Sequence, residues 1–200
     1  MSVAQRKPRP RRNNETNRRN ELLRVSARLF REKGFDGTSI RDISGAAGMH
    51  SGSPFYHFKT KQDILVAVME QGLAEGLQKL EDANTSGATA EQRFVRMIRA
   101  QIGTILEEGN DFIPVLLYDW RSLTEANRRR VIALHDKYDA LWQPVIDDLK
   151  RDGYLPGDPQ LVRLLVLGAV NWVGRWYRES GRLSLDDIAS GAARLFLHKP

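Results

Sequence analysis

Apolar residues recur every three or four positions along most of the chain, and this spacing predicts helices. The first amphipathic stretch begins near residue 17 and ends at Gly34, with Lys33 in its last turn. Its apolar face consists of Leu22, Val25, Leu29 and Phe30. No stretch shows the strict alternation that is typical of a strand. The pattern predicts an all-α protein of about nine helices, three short ones followed by about six longer ones.

The next segment is predicted to form two short helices separated by a turn. Thr38 is a favourable N-cap for the first of them. The buried stripe of that helix is made up of Ile40, Ile43 and Ala47. Gly48 breaks the chain, and either Ser51 or His50 caps the second, very short helix. Pro54 lies in its first turn, where the missing N–H costs little.

Longer helices fill the rest of the chain. Thr60 is the predicted N-cap of the fourth helix, in which Gly72 and Gly76 lower the local helix stability. A loop at residues 84–89 follows. The remaining helices are predicted to begin at Thr89 or Ala90, at Asp111, at Thr124, at Asp158 or Pro159, and after Ser184. The helix that begins at Thr89 or Ala90 is predicted to end near residue 108, and the one that begins at Asp111 at residue 123. The helix that begins at Thr124 is predicted to end at the segment RDGYLPGDP, and the one that begins at Asp158 or Pro159 at Gly181.

The positive charge is concentrated in the first third of the chain. Residues 1–63 contain 14 Lys or Arg and 6 Asp or Glu, a net +8, whereas residues 64–200 contain the other 17 and 19, a net −2. Residues 1–14, MSVAQRKPRPRRNN, carry five of the basic groups and few apolar side chains, so we predict a disordered basic tail. The asymmetry indicates either a polyanion partner at one end of the molecule or a solvated basic face.

The composition argues against several classes of site. The chain has no cysteine, which rules out disulfides and thiolate ligands and fits a cytoplasmic protein. The basic N-terminus lacks the apolar segment of a secretory signal, and the apolar run at 164–174 is far shorter than the ~20 residues that span a bilayer. His50 and His57 have no acidic partner nearby, so we expect no metal. We expect neither a cofactor nor an enzyme, because the sequence shows no nucleophile–His–Asp spacing and no Gly-rich phosphate loop.

The segment AGMHSGSPFYHFKTKQDI, residues 47–64, combines a glycine-containing turn, a short aromatic helix and two lysines. A supporting helix, then a helix, a turn with glycine and a second short helix form the helix-turn-helix layout. The last helix of such a unit presents its N-terminal residues to base edges in the major groove of DNA. Ser51, Gly52 and Ser53 are small enough to let this helix approach the bases closely.

Three residues after the turn have distinct predicted roles. Tyr56 is the long polar side chain that points forward to the DNA. Phe58 anchors the short helix on the two helices before it. Lys61 stands at the start of the fourth helix, where its charge and the helix N-terminus together hold a phosphate.

The residues GFDGTSIRDISGAAGMHSGSPFYHFKTKQDIL resemble the DNA-binding domain of the TetR-family transcriptional regulators. The family pattern is a Gly–aromatic pair, a Thr-capped T-[STV]-[IV]-R-[DE]-I-A helix, A-G-V, a turn of small residues and Tyr-x-[HY]-Phe-x-[ST]-K-x-x-L. The resemblance covers about residues 17–65 and implies a three-helix DNA-binding domain at 15–62, followed by a helical effector-binding and dimerisation domain at 63–200. It also implies that Arg41 reaches a base or a phosphate and that Thr38 and Ser39 contact the DNA backbone.

The sequence departs from this pattern at two positions. Pro54 stands where a helix former is usual. Phe55 stands where the family has a tyrosine whose hydroxyl binds a phosphate, so that hydrogen bond is not carried over. Either Tyr56 or His57 supplies the replacement.

The apolar helix after Pro159 is the predicted dimer interface. Its sequence, QLVRLLVLGAVNWVGRWYRESG, is apolar nearly all round, and Gly168, Ala169 and Gly174 permit close helix approach. One recognition helix reads few bases, and the resemblance implies that this helix and the closing helix form a four-helix interface in a homodimer. The alternative is a central core helix of a monomer.

Polar and aromatic side chains within the apolar helices indicate a small-molecule site. The predicted lining lies between the fourth helix and the long helices after it and consists of Leu77, Ile98, Ile102, Leu117, Tyr118 and Trp172. The segment NWVGRWYRESGRLSLDDIA also resembles TetR-family regulators of fatty-acid, sterol-ring or phenylacetate breakdown, which acyl-CoA thioesters release from DNA. That resemblance implies an acyl-CoA or another apolar anion as effector, with Arg121 and Arg175 among the groups for its phosphates. The alternative is that the tryptophans fill a core and the arginines pair with acids.

Together these observations predict a ligand-responsive dimeric repressor that binds a palindromic operator in double-stranded DNA. Two alternatives stay open: a DNA-binding regulator without an effector, and one that senses a different hydrophobic ligand such as a drug. Repression is the usual outcome in the family, and activation is not excluded by the sequence.

Overall fold

The computed structural model describes residues 11–50, 54–85, 87–107 and 110–198. Within these ranges the chain forms helices and turns and no strand. The helices are α1 (Arg11–Lys33), α2 (Ile40–Ala46), α3 (Pro54–His57), α4 (Lys61–Ala83), α5 (Ala90–Leu106), α6 (Phe112–Tyr118), α7 (Glu125–Arg151), α8 (Pro159–Trp176) and α9 (Leu185–Phe196), with a 3₁₀ turn at Trp120–Ser122. The all-α prediction is confirmed.

Side-chain caps fix the starts of the long helices. Thr60 and Ser184 each form a capping box with the aspartate three residues later, and Thr89 forms one with a glutamine. Thr124 and Asp158 accept a hydrogen bond from the third backbone N–H of α7 and α8. Each cap satisfies N–H groups that the first helical turn leaves without a partner. The predicted starts of α4, α5, α7, α8 and α9 are therefore confirmed.

Two helices near the N-terminus and in the middle of the chain differ from the prediction. Helix α1 begins at Arg11, so residues 11–14 of the predicted disordered tail are helical, while residues 1–10 lie outside the described residues. Helix α6 ends at Tyr118 rather than at residue 123. The carboxylate of Asp119 accepts a hydrogen bond of 3.1 Å from the backbone N–H of Phe35, and this tertiary contact fixes the chain where α6 ends.

Two further boundaries were misplaced. Helix α2 is capped by Ser39 rather than by Thr38, because Ser39 has the extended backbone of an N-cap and its hydroxyl accepts from the N–H of Asp42. Helix α8 ends at Trp176 rather than near residue 180. The chain after it is extended, and Gly181 closes a separate turn.

The N-terminal helices contribute one end of the hydrophobic core. Leu22, Leu23 and Phe30 of α1 pack with Ile43 of α2, and all four are nearly or fully buried. Phe58, which follows α3, is also buried and joins this core, as predicted. Helix α1 additionally packs on α4 and α6, which fixes the orientation of the N-terminal unit.

The C-terminal part is organised around α4 and α5. Helix α4 packs against α5, α6 and α7, and α5 packs against α8 and α9. The rings of Phe94 in α5 and Trp142 in α7 meet edge to face, 6.4 Å between centroids, in the middle of this core. Such a contact favours a single arrangement of the two helices.

Gly72 and Gly76 allow close packing of α4, which corrects the prediction that they soften it. A Cβ added at Gly72 would lie 2.8 Å from the Cβ of Phe112 and 3.1 Å from its carbonyl carbon. A Cβ at Gly76 would lie 2.8 Å from the ring of Tyr138. Both glycines are buried, so α4 approaches α6 and α7 more closely than any side chain would permit.

We expect Gly72→Ala to destabilise the protein. Overpacking against the Phe112 backbone costs about 1–3 kcal/mol, which outweighs the gain of about 1 kcal/mol in helix propensity. Gly45→Ala is the matched control, since Gly45 is helical and exposed with no atom within 4 Å of an added Cβ. Urea unfolding should show a lower midpoint for Gly72→Ala and an unchanged or higher one for Gly45→Ala. Stabilisation by both substitutions would contradict the packing argument.

Candidate DNA interface and effector cavity

The turn between α2 and α3 has the geometry of a helix-turn-helix unit. Gly48 adopts φ +62°, a left-handed conformation that favours glycine and turns the chain sharply after α2. Pro54 is the first residue of α3. At the end of this short helix, the backbone N–H of Phe58 donates to the carbonyl of Pro54. Burial of Phe58 therefore holds α3 against α1 and α2.

The surface of this unit presents aromatic and basic groups to solvent. The side chain of Tyr56 is 76% exposed, and its ring meets the ring of His57 edge to face at 5.1 Å. Arg41 is exposed on α2. The predicted contacts Ser51, Gly52 and Ser53 lie outside the described residues. A groove beside the turn is bordered by Arg18, Glu21, Met49, His50, Tyr56 and His57.

Thr38 is not available to DNA in this arrangement, contrary to the prediction. Its side chain is 1% exposed, and its hydroxyl donates to the carbonyls of Leu29 and Gly34. The neighbouring Ser39 is exposed and caps α2. The predicted contact of Ser39 with the DNA backbone stays a prediction.

Lys61 has a structural role that the sequence did not reveal. Its ammonium donates to the backbone carbonyls of Phe35 and Thr38, at 2.8 and 2.9 Å. The same ammonium lies 4.1 Å from the centre of the Phe35 ring, a cation–π geometry. Lys61 therefore ties the start of α4 to the loop between α1 and α2 and orients the helix-turn-helix unit.

A cavity of about 130 Å³ lies among α4, α5, α6, α7 and α8. Its apolar wall consists of Leu73, Ile113, Leu116, Leu117, Leu164 and Leu167. Its polar wall consists of Gln101, His135, Tyr138, Asp139 and Asn171. A cavity with a largely apolar wall and a few polar groups is the usual form of a small-molecule site.

The polar groups of the cavity wall form a connected hydrogen-bond chain. The hydroxyl of Tyr138 donates to Oε1 of Gln101, and Nε2 of Gln101 donates to Oδ1 of Asn171 at 2.7 Å. Burial raises the pKa of the Tyr138 hydroxyl, which therefore stays protonated and remains a donor. On the other side of the cavity, Oδ2 of Asp139 is paired with Arg163 at 2.6 Å.

The predicted ligand residues separate into three groups. Leu117 lines the cavity. Ile98 and Ile102 do not, because both side chains are fully enclosed in the core of α5, and half-buried Leu77 packs against the same core rather than lining the cavity. The remaining predicted residues, Tyr118, Arg121, Trp172 and Arg175, have exposed side chains.

Tyr118, Trp172 and Arg175 form a cluster on the surface next to the cavity. The guanidinium of Arg175 lies 5.7 Å from the centre of the Tyr118 ring and 5.9 Å from that of Trp172. Each aromatic residue directly follows a residue of the cavity wall, Leu117 or Asn171. The cluster therefore lies beside the cavity as a basic surface site.

Four residues of the polar wall are absent from the ligand set predicted from the sequence: Gln101, Tyr138, Asp139 and Asn171. A glutamine in the otherwise apolar face of α5 was the available signal, since a fully buried amide needs hydrogen-bond partners. The partners come from α7 and α8, far along the chain, so local spacing could not identify them.

Helix α6 connects the cavity wall to the DNA-binding unit. Ile113, Leu116 and Leu117 line the cavity. Before α6, Asp111 forms an ion pair of 2.7 Å with Arg31 of α1, and after it, Asp119 accepts from the Phe35 N–H. Burial raises the pKa of the Asp119 carboxyl above its ordinary value. Gln62 of α4 adds a hydrogen bond of 2.6 Å to the carbonyl of Ser122.

One face of α8 is apolar and exposed. The side chains of Leu161, Leu165, Trp172 and Trp176, spaced by about one or two helical turns, are 55%, 57%, 63% and 46% exposed. Gly168 lies on the same face with open space around it. An exposed apolar face is what the predicted dimer interface requires, and it argues against the alternative that α8 is the central core helix of a monomer.

The three N-terminal helices, the glycine turn and the exposed tyrosine define a helix-turn-helix DNA-binding protein. Residues 22–68 match the family of bacterial regulatory proteins, tetR family, and residues 87–199 match the tetracyclin repressor-like C-terminal domain. The chain therefore belongs to the TetR family of transcriptional regulators. In the described residues, no helix is long and apolar enough to cross a membrane, and no cluster of His, Asp and Glu could hold a metal ion.

Individual relatives show the same architecture. The solved structure of superantigen PfiT is 36% identical, covering 92% of this chain and 97% of that one, with a TM-score of 0.78. The HTH-type transcriptional repressor KstR2 of Rhodococcus jostii is 26% identical over 178 residues, which are 88% of this chain and 87% of KstR2. AibR, solved with isovaleryl coenzyme A and operator DNA, is 24% identical and shares the fold, with a TM-score of 0.83 and coverage of 90% and 97%.

We expect Lys61→Met to lower the free energy of unfolding by about 1–2 kcal/mol, because it removes two charge-assisted hydrogen bonds to backbone carbonyls. Lys59→Met is the control, since Lys59 is exposed and a surface substitution changes stability by no more than about 0.5 kcal/mol. Chemical unfolding of both variants measures the difference. Equal stability of the two variants would show that the Lys61 contacts do not hold the domains together.

Proposed function

We propose that this protein is a cytoplasmic, homodimeric transcriptional repressor that binds a palindromic operator in DNA. A small apolar effector would release it from the operator. The observation that carries the proposal is the position of α6. This helix lines the cavity and is tied at both ends to the DNA-binding unit through Arg31 and Phe35. Occupation of the cavity would therefore act directly on the element that orients the recognition helix.

On the DNA side, the proposed contacts come from exposed groups around the turn. Tyr56 is exposed on α3 and Arg41 on α2, and His57 is half-buried beside Tyr56. Lys61 uses two of its three hydrogens on backbone carbonyls, and we propose that the third contacts a phosphate. Residues at the start of α3 would contact the base edges, and residues on either side of this helix would contact phosphates.

The exposed face of α8 supports the dimer. A row of large apolar side chains without a partner is unusual on a monomer and marks an interaction surface. Leu195 of α9 is 80% exposed as well, so the two C-terminal helices together supply the surface. Pairing with a second copy would bury this face and place two recognition helices for half-sites centred about 34 Å apart.

The cavity and the adjacent cluster support an apolar effector with an anionic end, for which an acyl-CoA thioester is the leading class. The cavity would hold the apolar part. No lysine or arginine is among its lining residues in the described chain, so phosphates would lie outside it. Arg175 stands one helical turn after Asn171, about 6 Å along α8, and offers a cation at the surface.

The class of effector is tested by titrating the operator complex with acyl-CoAs, free fatty acids and aromatic acids. A 10–100-fold loss of operator affinity corresponds to only about 1.4–2.7 kcal/mol of coupling. Release by one of the acyl-CoAs supports the assignment. If none of these compounds releases the DNA while an unrelated cationic drug does, the acyl-CoA assignment is wrong.

We expect Leu165→Asp to produce monomers that bind the operator weakly, because a carboxylate placed at the centre of an apolar interface is desolvated without a partner. Ile132→Asp is the control, since Ile132 is 40% exposed but lies on α7. Analytical ultracentrifugation gives the mass of each variant. A wild-type protein that is monomeric and still binds a palindromic operator would contradict the dimer.

We expect Asp119→Ala to uncouple the cavity from the DNA. It removes the acceptor for the Phe35 N–H, whereas Asp119→Asn retains an oxygen in the same place. With the acyl-CoA that releases the wild type, Asp119→Ala should bind the ligand but lose operator affinity by less than about threefold, while Asp119→Asn should respond normally. Fluorescence anisotropy on labelled operator measures both. Full release from Asp119→Ala would exclude this route of coupling.

A further inference from the structure

We infer that the cavity binds the effector through a carbonyl oxygen, which accepts a hydrogen bond from the side-chain amide of Asn171. The inference rests on the proposed function, because it names the chemical group by which the effector is held. Leu164, Leu167 and Asn171 lie three and four residues apart on one face of α8 and line the cavity together. Asn171 is therefore a polar group in an apolar part of the wall.

The orientation of the Asn171 amide follows from the hydrogen-bond chain. The Tyr138 hydroxyl donates to Oε1 of Gln101, so the amide nitrogen of Gln101 faces Asn171. That nitrogen donates to Oδ1 of Asn171 at 2.7 Å. Nδ2 of Asn171, which carries two hydrogens, is the last donor in this series of hydrogen bonds. Among the described residues, no acceptor is bonded to it.

The remaining polar groups of the wall do not compete for the same ligand group. Gln101 and Tyr138 are almost fully buried and bonded to each other. One oxygen of Asp139 is paired with Arg163, and the other has almost no exposed surface and cannot be reached from the cavity. His135 is half exposed at the rim. Nδ2 of Asn171 is therefore the donor that the inner cavity offers.

An amide donor in an apolar cavity selects among the possible acceptors. A carboxylate would be buried without a cation, since no lysine or arginine lines the cavity in the described chain. A hydroxyl would bring a hydrogen whose nearest acceptor in the apolar part of the wall, Oδ1 of Asn171, already takes a hydrogen bond from Gln101. A ketone or thioester carbonyl accepts, adds no donor and carries no charge, so it leaves no group unsatisfied.

The size of the cavity limits what surrounds the carbonyl. About 130 Å³ is slightly less than the ~150 Å³ of an apolar cavity that holds benzene in another protein. A six-membered ring or a short branched acyl group fits, and the rest of a larger effector would extend to the surface. The inferred ligand group is thus a cyclic ketone or a short acyl thioester.

Three probes of equal ring size test the inference: cyclohexanone, methylenecyclohexane and cyclohexanol. They differ in the group that faces Asn171, respectively a carbonyl, a =CH₂ of the same shape and a hydroxyl. Calorimetric titration of the full-length protein without DNA should show cyclohexanone binding roughly tenfold more tightly than methylenecyclohexane and more tightly than cyclohexanol. Equal affinities, stronger binding of cyclohexanol, or no binding of any probe would overturn the inference.

Two variants locate the effect. Asn171→Leu should abolish the preference for the ketone over the methylene compound, while Leu117→Ala should weaken both probes alike and keep the preference. A preference that survives in Asn171→Leu would place the carbonyl elsewhere. The comparison of probes in the wild type decides the matter even if a variant does not fold. Because these titrations contain no operator, their failure would leave the proposed repressor function intact, whereas failure of DNA binding would not affect them.

Discussion

The close packing of α4 is the constraint on which the rest of the structure depends. Every residue from 64 to 69 in this helix is buried, and the helix contacts α1, α5, α6 and α7. At Gly72 and Gly76, neighbouring atoms come so near that a single methyl group would overlap them. Lys61 at its start holds the DNA-binding unit, and Leu73 further along forms part of the cavity wall. Helix α4 therefore contacts both the DNA-binding unit and the cavity wall.

Buried polar groups give the apolar C-terminal domain its chemistry. Gln101 in the centre of α5 would be costly without partners, and it is satisfied by Tyr138 from one side and Asn171 from the other. The same hydrogen bonds fix the orientation of each amide group. The Tyr138 hydroxyl donates to the oxygen of Gln101, so the nitrogen of Gln101 faces Asn171 and donates to its oxygen. The hydrogen bonds that satisfy Gln101 in the core therefore also determine which polar group of Asn171 faces the cavity.

Fold and cavity differ in what they determine about this protein. Matches along most of the chain establish the family and the fold, and these are shared by regulators that respond to different molecules. In the proposed site, the cavity residues would select the ligand, since volume, charge and the direction of hydrogen bonds differ with each side chain. The absence of a cation among the described lining residues and the surface position of Arg175 together distinguish an apolar cavity from a basic surface site beside it.

Local signals in the sequence were sufficient to predict an all-α fold, the starts of the long helices and the helix-turn-helix layout. Amphipathic spacing, capping residues such as Thr60 and Ser184, and the glycine turn at Gly48 act within a few residues, so they can be recognised without the fold. The family pattern of residues 17–65 is similarly local. For these features the interaction that stabilises the structure joins neighbours in the chain.

The tertiary structure alone decided the features that join distant residues. Thr38 was predicted to cap α2 and is buried, and Gly72 was predicted to weaken α4 and is a site of close packing. Lys61 was predicted to hold a phosphate, and the fold adds two backbone carbonyls as its partners. Ile98 was expected at the cavity and lies in the core, while Asn171 reaches the cavity through its bond to a residue 70 positions away. Sequence spacing determines which face of a helix is apolar, but the partner that covers that face depends on how separate helices pack.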